Sequence, residues 1–237
     1  MLEATLFVVA TYFWASVPSA YLVGRYVKGI DIRSYGSGNV GAANVMTHVG
    51  RLIGLSLGTF DCLGKGTVPV LMARLLDQSL AVQLGVGTAA IAGHNWSPFL
   101  RFTGGRGVAT AVGVVVGFLM WPEALILTLV MGGLGFLLFS ELATWTLVSM
   151  IVLPLLAYLF DRPPEVLYMT FVIAGLLMLK RLTANWESPS KDYPLIQVIA
   201  FRALWDRDVP RKVQWMRRQP PPTDGDSSRD VEDEVLR

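Results

Sequence analysis

The amino-acid sequence predicts an all-α, polytopic membrane protein with about seven transmembrane helices, the N-terminus outside and the C-terminus in the cytoplasm. Three observations support this fold class: a scarcity of charge, a series of long apolar runs, and an uneven distribution of basic residues. Of the 237 residues, 53% are hydrophobic and only 16% are charged, whereas soluble domains carry about 25% charged residues. Much of the surface is therefore expected to face lipid.

Apolar runs suited to transmembrane helices follow one another along most of the chain. A span needs about 20 mostly apolar residues, and a helix satisfies its own backbone hydrogen bonds in lipid. The first run lacks the basic start and cleavage site of a secretory signal, so it is expected to be a retained helix. The seven runs cover residues 4–27, 51–76, 79–98, 107–121, 123–139, 142–160 and 164–181. The sequence thus predicts a transmembrane domain over residues 1–181.

Basic residues cluster at one end of these runs. Cytoplasmic loops of membrane proteins carry an excess of lysine and arginine. With the N-terminus outside, the only basic residues in the outer links are Arg74 and Arg162. The inner links and the start of the tail hold Arg25, Lys28, Arg33, Arg51, Arg101, Arg106, Lys180 and Arg181. This bias predicts the stated orientation.

The chain after residue 181 changes character. Residues 182–219 contain an apolar stretch, 195–205, that is too short to span and is followed by several basic residues. Two arrangements fit this pattern: a segment in the cytoplasmic interface against anionic lipid, or a tail that contacts nothing. Residues 220–237 are rich in proline, serine and aspartate, and they are predicted to be a disordered tail.

Several classes of function find no support in the sequence. Cys62 is the only cysteine, so neither a disulfide nor a cysteine metal cluster is expected, and we expect no metal and no cofactor. The net charge of +2 indicates no nucleic-acid partner. The His-x4-Asp signature of soluble-donor glycerolipid acyltransferases is absent, because Phe99 and Ile53 stand five residues after His94 and His48.

The first of three polar segments on the predicted inner side covers residues 35–44. It combines glycine with small polar residues in the series Gly36, Ser37, Gly38, Asn39 and, further on, Asn44. Glycine allows backbone N–H groups to turn inward around an anion. The segment therefore predicts a phosphate-binding loop, with a flexible turn as the alternative.

The second polar segment lies within the second apolar run. Asp61 and Lys65 are four residues apart, so they share a helix face and can pair. Ionisable residues at membrane depth are costly and usually mark a site. The alternative is an ion pair that only fixes helix packing.

The third polar segment covers residues 93–107. His94 precedes a bend, and Gly104, Gly105, Arg106 and Gly107 precede the fourth run. A guanidinium group binds phosphate oxygens bidentately. Arg106 is therefore predicted to bind phosphate, with a simple positive-inside anchor as the alternative, and His94 taken alone is more typical of a structural residue.

Together these segments resemble the acyl-phosphate-dependent glycerol-3-phosphate acyltransferases of bacterial inner membranes. The resemblance is dense over residues 16–112 and thin afterwards. Asp61 with Lys65 and Gly66 matches the family's second helix. The remaining matches are residues 16–25 with 31–33, residues 36–44, and residues 93–110.

The resemblance implies seven transmembrane helices and an active site on the cytoplasmic side of the inner membrane. It implies acyl transfer from acyl phosphate to the 1-hydroxyl of glycerol 3-phosphate, giving lysophosphatidate. Membrane lipid would surround the site, and the sequence does not identify a protein partner. It also implies catalytic roles for Ser37 and His94. The implied phosphate-binding residues are Gly36, Ser37, Gly38, Asn39, Asn44, Lys65, Gly104, Gly105, Arg106 and Gly107.

The sequence departs from the family's pattern at five positions. Thr47 stands where the family has arginine, Arg106 where it has lysine, Gly175 where it has histidine, Met178 where it has asparagine, and Asn185 where it has glycine. These departures keep an alternative open: a catalytically weakened paralogue that acts as a non-enzymatic membrane subunit or lipid-phosphate-binding protein. A small-anion transporter is a third interpretation. If the loops form one anion site, Ser37, Lys65 and Arg106 should face a common cavity.

Overall fold

The computed structural model describes residues 2–211, which form helices joined by turns, with no β-strand among them. The eleven α-helices of this part are α1 (Leu2–Ser16), α2 (Ser19–Lys28), α3 (Ala42–His48), α4 (Arg51–Thr59), α5 (Val68–Leu75), α6 (Leu80–Asn95), α7 (Val108–Gly117), α8 (Trp121–Thr128), α9 (Leu142–Leu159), α10 (Pro164–Thr183) and α11 (Leu195–Trp205). Wider π-helical turns, Phe60–Thr67 and Leu129–Leu138, connect α4 to α5 and extend α8. The predicted all-α class is confirmed for the described residues.

Helix lies over each of the seven apolar runs. Three of the helical segments are long and apolar enough to cross a membrane: Leu2–Lys28, Leu142–Leu159 and Pro164–Trp186. Large apolar side chains also remain on the outer surface, including Leu52 at 78%, Leu75 at 79% and Ile151 at 68% exposure. So much exposed apolar surface favours insertion into lipid over contact with water.

Helix α6 occupies the centre of the bundle and packs against α1, α5, α7 and α10. Its Val86 and Ile91 are fully buried, in one core with Val114 of α7, Leu153 of α9 and Ile173 of α10. The end of α6 carries His94, so the central packing places this histidine inside the molecule.

Helix α7 lies very close to the π-helical segment at Phe60–Thr67. A Cβ atom added to Gly113 would lie 1.9 Å from the carbonyl oxygen of Cys62, and one added to Gly66 would lie 2.4 Å from that of Thr110. Glycine at these positions lets the two backbones touch, as small residues do between membrane helices. The approach holds Asp61 and Lys65 beside the loop that precedes α7.

The chain after α10 folds back onto the bundle. Helix α11 contacts α9 and α10, and Arg202 forms a bidentate ion pair with Asp208 at 2.6 and 2.9 Å. The alternative of a tail that contacts nothing is therefore wrong for residues 195–208. The rest of the basic segment and the predicted disordered tail, residues 212–237, lie outside the described residues.

Candidate active site

The break between α1 and α2 creates a backbone acceptor inside the bundle. Pro18 lacks an N–H group and interrupts the helix, and the Val17 carbonyl before it accepts from the Ser19 N–H at 2.8 Å. Lys65 donates to this oxygen at 2.8 Å and to the Ser19 hydroxyl, also at 2.8 Å. A helix break and a buried lysine therefore stabilise each other.

Asp61 completes this polar cluster. Its carboxylate lies 2.9 Å from the Lys65 ammonium, and each of the two side chains is only 2% exposed. Ser19 donates to the same carboxylate at 3.2 Å, and His94 Nδ1 lies 3.7 Å from it. The predicted pairing of Asp61 with Lys65 is confirmed, although the connecting turns are π-helical rather than α-helical.

A small cleft opens beside the cluster. Its polar side chains are those of Ser16, Ser19, Lys65, His94 and Ser97. Val40 of the first loop and Gly104 and Gly105 of the third segment line its other sides. Both predicted glycine loops therefore reach one cleft. Its chemistry combines a buried ammonium group, a hydroxyl and an imidazole, which suits a small polar anion.

The buried side chain of Asn44 holds the first glycine loop in shape. The buried Asn44 amide donates to three backbone oxygens, those of Ile32 at 3.1 Å, Tyr35 at 2.9 Å and Asn39 at 3.1 Å. Gly36 has φ +54°, and a Cβ there would lie 2.6 Å from Asn44 Oδ1. Asn44 thus organises the loop, whatever the loop binds.

Beside this loop, Asp31 accepts two hydrogen bonds from the Arg33 side chain, at 2.9 and 2.6 Å. These bonds hold the pKa of the Asp31 carboxyl below its usual value. The Ser37 hydroxyl, in turn, accepts from the Asn39 backbone N–H at 3.3 Å. Ser37 is engaged within its own loop and does not line the cleft.

The third segment wraps around the end of α6. The Gly105 N–H donates to the His94 carbonyl at 3.1 Å, and a Cβ on Gly105 would lie 2.0 Å from the His94 ring. Asn185 pairs with both the N–H and the carbonyl of Gly104, at 3.0 and 3.2 Å. Gly107, at φ +72°, then turns the chain into α7. Glycine is required here because ring and backbone are in direct contact.

Arg106 points away from the cleft. Its Nε donates to Asp206 at 2.9 Å and its NH1 to the Lys180 carbonyl at 3.2 Å, and it does not line the cleft. The expectation that Ser37, Lys65 and Arg106 face one cavity is therefore wrong: only Lys65 does. The physical reason is that Ser37 and Arg106 each have a competing partner within the protein.

Three other departures from the family's pattern also lie away from the cleft. Thr47 is exposed and donates to the Ala43 carbonyl at 3.1 Å. Gly175 lies on an exposed part of α10 with open space beside it, and Met178 packs against the apolar core. None of the three lines the cleft.

Three residues of the site were not identified from the sequence. Ser19 bridges Lys65 and Asp61, and Asn185 and Asp206 reach the third segment from beyond α10. Two of them had a signal: Ser19 follows the proline that interrupts the first apolar run, and Asn185 stands where the family has glycine. Within residues 2–211, no group of three His, Cys, Asp or Glu side chains is arranged to hold a metal ion.

The fold and the cleft define a polytopic helical membrane protein with a buried cationic and polar site between two glycine loops. A family model described as glycerol-3-phosphate acyltransferase matches residues 5–188. The chain belongs to this family. Among its relatives, glycerol-3-phosphate acyltransferase 5 of Dehalococcoides mccartyi is 35% identical over 222 residues, covering 91% of this chain and 94% of the relative.

Other comparisons agree. Glycerol-3-phosphate acyltransferase 2 of Moorella thermoacetica is 41% identical over 189 residues, covering 77% of this chain and 95% of the relative. The crystal structure of PlsY, an integral membrane glycerol 3-phosphate acyltransferase, in its glycerol 3-phosphate form superposes with a TM-score of 0.70 at 32% identity, covering 76% of this chain and 88% of that one. The lysophosphatidic acid form of the same protein gives a TM-score of 0.68.

Proposed function

We propose that this protein transfers an acyl group from acyl phosphate to the 1-hydroxyl of glycerol 3-phosphate, producing lysophosphatidate for phospholipid synthesis. The observation that carries the proposal is family membership over residues 5–188, which includes both glycine loops and the Asp61–Lys65 pair. Solved relatives at 32% identity have forms with glycerol 3-phosphate and with lysophosphatidic acid.

The reaction needs positioning more than a reactive enzyme side chain. The glycerol oxygen forms a bond to the acyl carbon, the bond from that carbon to the phosphate oxygen breaks, and inorganic phosphate leaves. The hydroxyl proton is transferred to the departing phosphate. Because acyl phosphate is already activated, holding two anions together and stabilising the developing charge supplies most of the catalysis.

The cleft residues suit these tasks. Lys65 and His94 line it, so we assign Lys65 to phosphate binding and His94 to the shape and polarity of the pocket. Gly104 and Gly105 line the same wall, and their backbone N–H groups are held by Asn185 and by the His94 carbonyl. The catalytic role of Ser37 and the phosphate-binding roles of the 36–39 loop remain predictions that require the loop to present its groups to substrate.

An apolar pocket lies on the path that we propose for the acyl chain. It is lined by α7, α8, α9 and α10, and it begins at Val108, which directly follows Gly107. An acyl group attached to a phosphate near the third segment would therefore enter a lined apolar space rather than water. Burial of its methylene groups would favour binding by about 0.8 kcal/mol each.

We also propose the membrane arrangement that the sequence predicted. Residues 1–181 cross the bacterial inner membrane seven times, with the N-terminus outside and the cleft on the cytoplasmic side, where glycerol 3-phosphate is dissolved. The described part of the basic segment, residues 182–211, lies in the cytoplasmic interface, which the exposed Leu195 and Ile196 of α11 support.

The direct test is an assay of the purified protein for lysophosphatidate formation from palmitoyl phosphate and glycerol 3-phosphate. Product and inorganic phosphate should appear in equal amounts. If an active relative forms lysophosphatidate under the same conditions and this protein does not, the enzyme proposal is wrong. The non-enzymatic alternative would then stand, although the comparisons do not favour it.

A second test addresses Arg106, which we propose binds substrate phosphate after it leaves its partner in the protein. Arg106→Ala should raise the KM for glycerol 3-phosphate roughly 10–100-fold, because a charge-assisted hydrogen bond is lost. Arg106→Lys is the matched control, since it keeps the charge and restores the family's residue. Equal KM values in both variants and the wild type would remove Arg106 from the site.

A further inference from the structure

The arginine of the third segment is held by a carboxylate from the C-terminal part of the chain. Arg106 Nε lies 2.9 Å from Asp206 Oδ2, and the two side chains are 11% and 19% exposed. Asp206 directly follows α11 and lies beyond residues 5–188, the part that the family model covers. An acid outside the family match therefore contacts the residue proposed to bind substrate.

The surroundings of this pair carry more positive than negative charge. Asp206 interacts electrostatically with Lys180 and Arg181 as well as with Arg106. Lys180 is fully buried and donates to the Asn95 carbonyl, and Arg181 is 3% exposed. Three cations around one carboxylate form an environment that a doubly charged phosphate would satisfy better than Asp206 does.

The contact with Arg106 also leaves the Asp206 carboxylate with unused hydrogen-bonding capacity. Only one Asp206 oxygen reaches Arg106, and the other, Oδ1, is buried without a hydrogen-bond partner in the described part of the chain. Leaving a buried acceptor unsatisfied costs about 1–3 kcal/mol. Asp206 has φ +55° as well, a left-handed conformation that aspartate and asparagine tolerate better than most residues. The pair is therefore one that a better anion can displace.

The strap, defined as residues 195–208, stays attached to the bundle through other contacts. Arg202 pairs with Asp208 and also donates to the Leu182 and Glu187 carbonyls at 3.0 Å each, and Arg181 donates to the Ala203 carbonyl at 3.0 Å. Loss of the Asp206 contact alone would not detach α11. A local exchange at Arg106 is therefore possible without unfolding the strap.

We propose that Asp206 competes with the phosphate of glycerol 3-phosphate for Arg106 and so sets the affinity of the site. This inference rests on the proposed function, in which Arg106 binds that phosphate. When substrate is absent, Asp206 neutralises Arg106; when phosphate arrives, the guanidinium exchanges one acidic partner for a stronger one. Asp206 is a residue that lowers affinity, and it takes no part in the acyl transfer.

The test compares the full-length wild type with Asp206→Asn in lipid nanodiscs, measuring the equilibrium binding of labelled glycerol 3-phosphate. Asparagine keeps the left-handed backbone and removes the competing charge. The Kd should fall roughly tenfold, which is the effect of losing one charge-assisted competitor. Asp192→Asn is the matched control, since Asp192 is exposed in the same region and bonds only to Ser190 among the described residues; its Kd should not change.

An unchanged or raised Kd in Asp206→Asn would overturn the proposal, and a raised value would mean that Asp206 positions Arg106. A second measurement does not depend on any variant folding. In the wild type, hydrogen exchange at the end of α11 should speed up when glycerol 3-phosphate saturates the site, and slower or unchanged exchange would contradict the competition.

Failure of the proposed function can be distinguished from failure of the competition proposal. If the proposed function is wrong, the wild type makes no lysophosphatidate. Binding of inorganic phosphate and hydrogen exchange at α11 would still report on the role of Asp206. If inorganic phosphate binds more tightly to Asp206→Asn while the wild type lacks activity, the competition stands without the enzyme.

Discussion

The ammonium group of Lys65 lies 2.9 Å from the carboxylate of Asp61, at a depth where both side chains are 2% exposed. The pair is hydrogen-bonded further by Ser19 and by the Val17 carbonyl. Buried ions are tolerated when their remaining hydrogen-bonding capacity is satisfied. The arrangement therefore fixes a lysine ammonium group at the wall of the cleft and joins the first helical run to the second.

Removing one member of this pair should be more damaging than removing both. Lys65→Met leaves a buried carboxylate without its cation, which typically costs about 3–5 kcal/mol. The double variant Asp61→Asn with Lys65→Met should recover most of the lost thermal stability, as measured by unfolding of the purified protein in detergent. A double variant no more stable than Lys65→Met would contradict this account. Both variants should lack activity, because the cleft loses its ammonium group.

The contact between α7 and the π-helical segment should not tolerate a methyl group. Gly113→Ala would place its Cβ on the Cys62 carbonyl oxygen, so the helices must separate, at a cost of about 1–3 kcal/mol or more. Gly175→Ala on α10 is the control, since nothing lies within 4 Å of its Cβ position, and it should raise helix stability slightly. Comparable thermal unfolding for the two variants would argue against the close approach.

The loop between α9 and α10 is tied to the start of α8 by an ion pair. Arg162 donates to both Glu123 oxygens at 2.6 and 2.8 Å, and Glu123 is fully buried. The carboxylate beside Arg162 raises the pKa of that guanidinium. Glu123→Gln should lower the free energy of unfolding by about 2 kcal/mol, the scale of a charged hydrogen bond. Glu165→Gln, an exposed acid at the start of α10, should have little effect by the same denaturation measurement.

The orientation can be measured with single cysteines, because Cys62 is the only native one. In a Cys62→Ser background, a membrane-impermeant thiol reagent applied to intact cells should label Asp161→Cys and leave Arg33→Cys unlabelled. The basic bias of the inner links is the physical reason. Labelling of position 33 from outside would invert the topology and place the cleft on the wrong side for its proposed substrate.

Local patterns were enough to predict much of this molecule. The seven apolar runs predicted where helices lie, because a chain in lipid must satisfy its backbone polar groups within each segment. The spacing of Asp61 and Lys65 predicted their pairing, since neighbours four apart share a helix face. The glycine loops were located by composition alone, and Val40 and Gly104 do approach a single cleft.

The partners of individual side chains could not be predicted in this way. Arg106 looked like a free phosphate ligand, yet Asp206, 100 residues later in the chain, holds it. Asn44 looked like a substrate ligand and instead ties three loop carbonyls together. The aligned positions Gly175 and Met178 suggested lost site residues, but neither lines the cleft.

The sequence by itself determined the helical class, the apolar runs and the residue types at the site, because hydrophobic length, glycine content and helix periodicity are local properties. The tertiary structure alone decided which groups meet. The Lys65 ammonium reaches the cleft because a helix break at Pro18 supplies its acceptor, and Arg106 turns away because α11 folds back and brings Asp206 to it. Contacts between distant segments depend on the packing of the whole bundle, and no local spacing in the chain encodes them.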